Sequence, residues 1–403
     1  MVLWREGSGK READMDDGLL FTSRTLGPIT LRNRSIRAAA FEGMCPDNSP
    51  SQQLHDYHFA VARGGVGMTT VAYAAVCRSG LSFPHQLWLR PAVVPALRRL
   101  TDAVHGAGAK ASIQLGHCGN MAKRRVSGGR ALSPSGRYNL YGMIPSKAMD
   151  ASDIAEVVAA FGDGVRLARD AGFDAVEIHA GHGYLVSQFL SPYTNRRRDG
   201  YGGSLENRMR FMREVMAAVT EAAADDLAVV VKMNLYDGFE GGQTLEDAVE
   251  IAQALEAAGA HALVLSGGFV SRAPMMVMRG AMPIRTLTRS MDEKLLRIGV
   301  ALFGKRMIKS EPFTEKYFLD EARMIRGAVR LPLVYVGGLL SRRAIEDVLS
   351  EGFEFVQLAR ALLTEPDFIH RLRCGACDRS RCQTTNECIA VMYSGAARCW
   401  QED

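Results

Sequence analysis

The sequence predicts an α/β fold, a (β/α)8 barrel forming a single domain with a Cys-rich C-terminal extension. Three observations carry that expectation. Four segments share one plan: AGAKASIQLG (107–116), AGFDAVEIHA (171–180), AGAHALVLSG (258–267) and EGFEFVQLAR (351–360) each place a Gly before a short apolar run. Eight such runs alternate with helical patterns over most of the chain, which is the signature of repeated βα units. No Pro/Ser-rich linker divides the 403 residues, so one domain is expected where length alone allows two or three.

The elements follow in order. Strand candidates are Ser35–Ala40, Gly67–Ala72, 107–116, 171–180, Leu227–Asn234, 258–267, Leu333–Gly337 and 351–360. Most are apolar throughout, as befits strands buried on both faces of a parallel sheet. Helices are expected at Gln53–Arg63, Pro91–His105, 153–170, Glu206–Ala223, 244–257, Thr314–Gly327 and 341–350. Residues 153–169 keep apolar positions at three-to-four spacing. Thr244 with Asp247 three residues on reads as a near capping box. Each repeat's leading Gly suits a helix stop, where positive φ costs little. A doubly wound sheet is the competing topology.

Composition excludes several function classes. With 47% hydrophobic and 23% charged residues the chain reads as globular, not disordered or fibrous. Lys+Arg 49 against Asp+Glu 44 gives +5, too weak a field to imply nucleic acid or an anionic membrane as partner. No run approaches the ~18 apolar residues of a spanning helix. Residues 1–18 are charged with no apolar core, so they read as a mobile tail of a cytoplasmic protein rather than a signal peptide. The barrel is then expected over 19–370 and the cysteine-rich segment over 371–403.

In such a barrel the chemistry gathers at the strand C-termini, with phosphate after strands seven and eight. Gly337-Gly338 lets backbone N–H groups approach phosphate oxygens, and Ala359-Arg360 adds a charge-assisted clamp. The alternative is a simple turn and a surface ion pair. Lys232 lies mid-strand among Val229, Val230, Val231 and Met233, and needs an anion if it points inward. The N1/O2 edge of a flavin, negative on reduction, is one such partner; a snorkelling strand-end Lys is the other reading. Gln114 offers donor and acceptor to a pyrimidine-like imide. His179 and His182 read as a pair of donors for a substrate oxygen, with Tyr184 as proton donor. Zinc bound by these histidines and Glu177, as in a barrel hydrolase, and a purely structural His are the alternatives.

The stretch 178–208 (IHAGHGYLVSQFLSPYTNRRRDGYGGSLENR) closely resembles the signature of the old yellow enzyme family of flavin-dependent ene-reductases, or NADH:flavin oxidoreductases. The similarity extends over 31–34, 62–71, 114–119, 231–242 and 334–367, nearly the whole barrel. The resemblance implies FMN at the barrel mouth and NAD(P)H as reductant. It implies Gln114 and Lys232 on the isoalloxazine, and backbone of Ala38, Ala39, Ala40 and Ala72 nearby. It places Gly337, Gly338, Ala359 and Arg360 on the phosphate. His179 and His182 would grip the carbonyl of an activated alkene and Tyr184 would protonate its α-carbon, in a ping-pong cycle through flavin N5. Two departures stand out. Ala39, Ala40 and Phe41 replace the family's frequent Pro and potential-tuning Thr or Cys, and Lys232 replaces an Arg.

Eight cysteines include a cluster, Cys374, Cys377, Cys382, Cys388 and Cys399. It is similar to the 4Fe–4S segment of the dienoyl-CoA reductase and trimethylamine dehydrogenase relatives, with different gaps and Thr385 where a further cysteine is expected. An Fe–S cluster, structural zinc and free thiols are all open, with free thiols in a remnant segment favoured. The leading expectation is an FMN-dependent ene-reductase. Its rivals are a flavin dehydrogenase or demethylase, a dienoyl-CoA reductase-like enzyme with a cluster, a metal-dependent hydrolase, and a flavin-binding redox module. A homo-oligomer is allowed by the sequence.

Overall fold

The computed structural model describes residues 18–129, 131–139, 144–276, 278–289, 294–307, 310–392 and 395–399. Almost all of the expected 1–18 tail therefore lies outside the described residues. Eight strands close into a parallel barrel: β1 Ser35–Arg37, β2 Met68–Ala75, β3 Lys110–Gly116, β4 Ala175–Ala180, β5 Ala228–Asn234, β6 Ala262–Ser266, β7 Leu333–Val336 and β8 Phe355–Leu358. Each pairs in parallel with its sequence neighbours, and β8 closes on β1 through Val356↔Ser35. A closed ring with this order is a (β/α)8 barrel, and the doubly wound alternative falls.

The barrel helices are α1 Gln52–Arg63, α2 Val94–Gly106, α3 Ala151–Asp170, α4 Leu205–Ala223, α5 Leu245–Ala257, α6 Leu319–Ala328 and α7 Arg342–Ser350. Their starts are chemically marked. Thr244 and Asp247 form the full capping box at α5, and Asp150 with Asp153 forms another at α3. Two expected helices differ. Pro91–Val93 is a separate 3-10 turn before α2. α6 starts at Leu319 rather than Thr314, because the Phe318 N–H is taken by the Tyr335 hydroxyl at 3.1 Å.

Side-chain alternation explains the interior. Lower inward positions are apolar: Ile36, Met68, Ala175, Ala228, Val230, Ala262, Val264, Val334 and Phe355 form one buried cluster with Leu26, Ile29 and Leu31. The last three belong to a hairpin, Arg24–Leu26 with Ile29–Leu31, that caps the barrel's N-terminal end. Further up β3, β4, β5 and β8 the inward positions become polar: Gln114, Glu177, Lys232 and Gln357, all at most 4% exposed. The bottom of the barrel is thus sealed by packing, and polarity appears where the strands end.

Candidate active site

A cavity of about 200 Å³ opens above this polar layer. Its floor is organised by Glu177. Gln114 Nε2 and Gln357 Nε2 each donate to one Glu177 oxygen at 2.6 Å, and Lys232 Nζ lies 2.8 Å from Oε1. The carboxylate therefore fixes both amides with their nitrogens downward. Both glutamines line the cavity, and Gln357 Oε1 is buried with no hydrogen-bond partner among the described residues. A buried acceptor left unpaired is costly and fits a ligand donor. Lys232 meets its anion in Glu177 and is absent from the described cavity wall. With both Glu177 oxygens occupied from three sides, the zinc-hydrolase alternative loses its carboxylate ligand.

The histidine pair sits at the end of β4. His179 is the inward residue after Glu177. His182 adopts φ 59, a left-handed conformation fixed by its N–H donating to Asn234 Oδ1 at 2.9 Å. Gly183 follows at φ 77, and a Cβ there would meet the Phe269 ring at 2.5 Å, so only glycine carries the chain past it. This turn places three rings together. The His179 and His182 centroids are 5.1 Å apart, and His179 and Tyr184 are 4.4 Å apart. Tyr73 completes the group 4.8 Å from Tyr184.

Protonation follows from burial. The His179 imidazole is held well below its ordinary value by burial, then by His182 and Lys232. His182 is lowered to about 3 by burial and then Lys232. Both are neutral donors at physiological pH. The Gly181 N–H meets His179 Nδ1 at 3.4 Å, which assigns the His179 proton to Nε2. His182 Nε2 lies 2.7 Å from the Ser266 hydroxyl; Ser266 donating there leaves the proton on Nδ1.

The opposite wall comes from the ends of β1, β7 and β8. Ala39, Ala40 and Phe41 line the cavity, while Ala38 and Ala72 lie behind it. The Ala38 N–H extends the β8 pairing to Leu358 O at 2.9 Å, and the Ala72 N–H donates to both Glu42 oxygens at 3.0 and 3.1 Å. Gly337, Gly338, Ala359 and Arg360 all line it. Gly338 has φ 73, and a Cβ there would come 2.7 Å from Thr314 O. Arg360 Nη1 is anchored by Asn386 Oδ1 at 3.0 Å and Arg279 O at 3.1 Å, which aims a fixed charge along this wall.

Several wall residues were not expected from sequence. Arg37, Tyr57, Tyr73 and Gln357 line the cavity, as do Cys388, Ile389, Met392 and Ala397 of the C-terminal segment. Gln357 carried a readable signal, a lone polar residue in the strand Phe355–Leu358. The C-terminal residues carried none. They are held by long-range contacts such as Ala397 N–H to Glu42 O at 2.6 Å. For the cysteines, no group of three or more His, Cys, Asp or Glu among the described residues has the geometry to hold a metal ion.

Polar groups converging at the C-terminal mouth of a closed parallel barrel define a TIM-barrel enzyme. Residues 19–378 match the NADH:flavin oxidoreductase / NADH oxidase family, and the chain belongs to that family. It is an NAD(P)H-dependent flavin oxidoreductase, with FMN as the family's cofactor. A 4,4'-dithiodibutanoate disulfide reductase of Rhodococcus erythropolis is 41% identical over 385 residues, 95% of each chain. A metal reductase of Desulforamulus reducens is 32% identical over 360 residues, 89% of this chain and 49% of the relative, so the chain spans about half of that protein. A 2-naphthoyl-CoA reductase complex superposes with TM-score 0.81 at 23% identity over 94% of this chain and 56% of its own. Morphinone reductase does so with TM-score 0.71 at 22% identity, 94% and 95% covered. At these identities the two structures speak to the fold alone. No helix among the described residues is long and apolar enough to cross a membrane.

Proposed function

We propose that the enzyme carries reducing equivalents from NAD(P)H to the C=C bond of α,β-unsaturated carbonyl or similarly activated compounds. The observation that carries this reading is the ring cluster of His179, His182 and Tyr184 on the wall of the cavity. The cavity fits FMN. The unpaired Gln357 Oε1 and the amide of Gln114 suit an imide edge, and Gly337, Gly338, Ala359 and Arg360 suit a phosphate. Ala39 and Ala40 lie on the same wall. Ala38, Ala72 and Lys232 act from behind it: Lys232 through Glu177, Ala72 through Glu42. Bound FMN supplies a two-electron hydride carrier.

The chain's own residues do the rest. Neutral His179 and His182 donate hydrogen bonds to the substrate carbonyl oxygen, where negative charge grows as the alkene is reduced. Their grip is stronger in the transition state than on the ground-state carbonyl, which is the condition for rate acceleration. Tyr184 delivers its phenolic proton to the α-carbon, a step worth ~10²–10⁴-fold. Anaerobic mixing of NAD(P)H-reduced holoenzyme with an enone panel tests this. Flavin reoxidation with saturated product is expected; no reoxidation by any enone, nitroalkene or dienoate overturns it. Replacing both histidines by Ala is expected to abolish phenol charge-transfer binding.

A second reading is reduction of organic disulfides. The likeness to the Rhodococcus erythropolis disulfide reductase over 95% of both chains favours it, as does Cys388 on the cavity wall. The same assay with disulfides in place of enones distinguishes the two.

A further inference from the structure

Three of the C-terminal cysteines share a second, smaller cavity. Cys382, Cys388 and Cys399 line a space of about 20 Å³ together with Thr364, Thr385 and Asn386. That is room for about one water molecule. Cys388 and Arg360 also belong to the wall of the large cavity, so one thiol borders both spaces. The arrangement is anchored. Asn386 accepts from Arg360 at 3.0 Å and donates to Ala281 O at 2.8 Å, and the Thr364 hydroxyl lies 3.4 Å from Cys399 Sγ. All three cysteines are free thiols and partly buried.

We propose that these thiols form a redox site at which organic disulfides are reduced, with Cys388 as the member facing the flavin cavity. The proposal deepens the disulfide reading above and rests on the large cavity holding FMN. The small cavity is too narrow for a substrate RSSR. A thiolate of Cys382 or Cys399, both partly exposed, therefore attacks one sulfur of RSSR from the solvent side, forming a mixed disulfide and releasing RS⁻, which takes up a proton. Cys388 sulfur then attacks the bonded protein sulfur, expelling the second RS⁻, which takes the Cys388 proton. Two protein thiols are oxidised to one disulfide, and one substrate disulfide is reduced to two thiols. NAD(P)H and a proton, acting through the flavin, return the protein disulfide to two thiols. Burial pushes the Cys388 thiol up to about 11. That disfavours Cys388 as the first attacking thiolate and leaves it the resolving position.

The test uses anaerobic holoenzyme and 2-hydroxyethyl disulfide as probe, counting thiols after denaturation. The reduced enzyme holds eight thiols. Probe is expected to remove two of the eight, peptide mapping to join Cys388 to Cys382 or Cys399, and NAD(P)H to restore all eight. In Cys388→Ser a stable one-RS adduct on Cys382 or Cys399 is expected, with disulfide turnover at least tenfold lower. Bound-flavin absorbance reports that the variant has folded. Eight thiols persisting after probe, or Cys388→Ser turning over disulfide at the parent rate, overturns the proposal. Absence of bleaching of bound flavin by NAD(P)H instead brings down the flavin reading, and this proposal with it.

Discussion

Arg37 Nη1 lies 2.6 Å from Glu42 Oε1, with side chains 3% and 5% exposed, at the edge of the large cavity. The same guanidinium donates to Thr70 O and Ala40 O, and its Nε to the Tyr57 hydroxyl at 3.3 Å. Glu42 also accepts from the Ala72 N–H and meets His58 Nε2 at 3.2 Å. Burial opposes the Glu42 charge, but Arg37, His58 and Ala72 outweigh it and hold the carboxyl below its ordinary value. An ion pair thus stands beside Ala39, Ala40 and Phe41 of the cavity wall.

Opposite charges here predict opposite shifts in flavin potential. Arg37→Met removes a cation beside the cavity and is expected to lower the midpoint; Glu42→Gln is expected to raise it. A tenfold change in the stability of reduced against oxidised flavin corresponds to ~30 mV. Both variants leave a buried charge unpaired, so both should lose about 3–5 kcal/mol of stability. Spectroelectrochemical titration separates the two effects. Shifts of the same sign in both variants contradict the charge argument.

Buried histidines predict an acid limit to stability. His58, His117, His179 and His182 are all lowered by burial, His117 and His182 to about 3. In the unfolded chain each titrates near 6.5. Below 6.5 the unfolded state binds a proton that the folded state refuses, so their contribution is full above pH 6.5 and falls as pH drops, down to about 3 for His117 and His182. Well below 6.5 the loss is about 1.4 kcal/mol per pH unit for each of His117 and His182. Urea midpoints of holoenzyme should fall steeply from pH 6.5 to pH 5, above the ordinary carboxylate range. His117→Gln should flatten that slope by one proton; an unchanged slope contradicts it.

How much of this was legible in the sequence depends on whether the signal is local. The eight strands are short apolar runs after glycine stops, and the barrel followed from them. His179, His182 and Tyr184 lie within six residues on one strand end, so their convergence is local and was readable. A mid-strand Lys232 needs an anion, and Glu177 is one; that Glu177 stands beside it depends on which strands become neighbours. Gln357 reaches Glu177 across 180 positions, and Arg37 meets Glu42 through a loop whose path no pattern announces. Cys388 and Ala397 reach the cavity only because the chain end folds back over the β1 loop, where Gly43 leaves room for Gly395 O at 2.3 Å from a hypothetical Cβ.

Glu177 should be worth more to stability than any single partner. Its carboxylate satisfies Gln114, Gln357 and Lys232 at once. Glu177→Gln leaves the Lys232 ammonium buried without a counter-charge and sets its amide nitrogen against the donor of Gln114 or of Gln357. A loss of about 3–5 kcal/mol is expected. Lys232→Met added to Glu177→Gln should recover part of it, because the uncompensated charge is gone. A double-mutant cycle by denaturant unfolding reads the coupling directly. Strict additivity overturns the assignment of Glu177 as the anion for Lys232.

Tyr184 offers the sharpest division between binding and chemistry. Its ring lies against His179 and Tyr73, so Tyr184→Phe keeps the packing and removes only the hydroxyl. Flavin reduction by NAD(P)H needs no proton from this residue and should stay within about twofold of the parent. Reoxidation by an enone requires protonation at the α-carbon and should slow by ~10²–10⁴-fold. Stopped-flow of the two half-reactions separates these outcomes, since steady-state rates merge them. Enone binding should persist, because His179 and His182 still hold the carbonyl. Equal slowing of both half-reactions assigns Tyr184 to the architecture of the cavity rather than to proton delivery. Reoxidation at the parent rate removes it from the chemistry altogether.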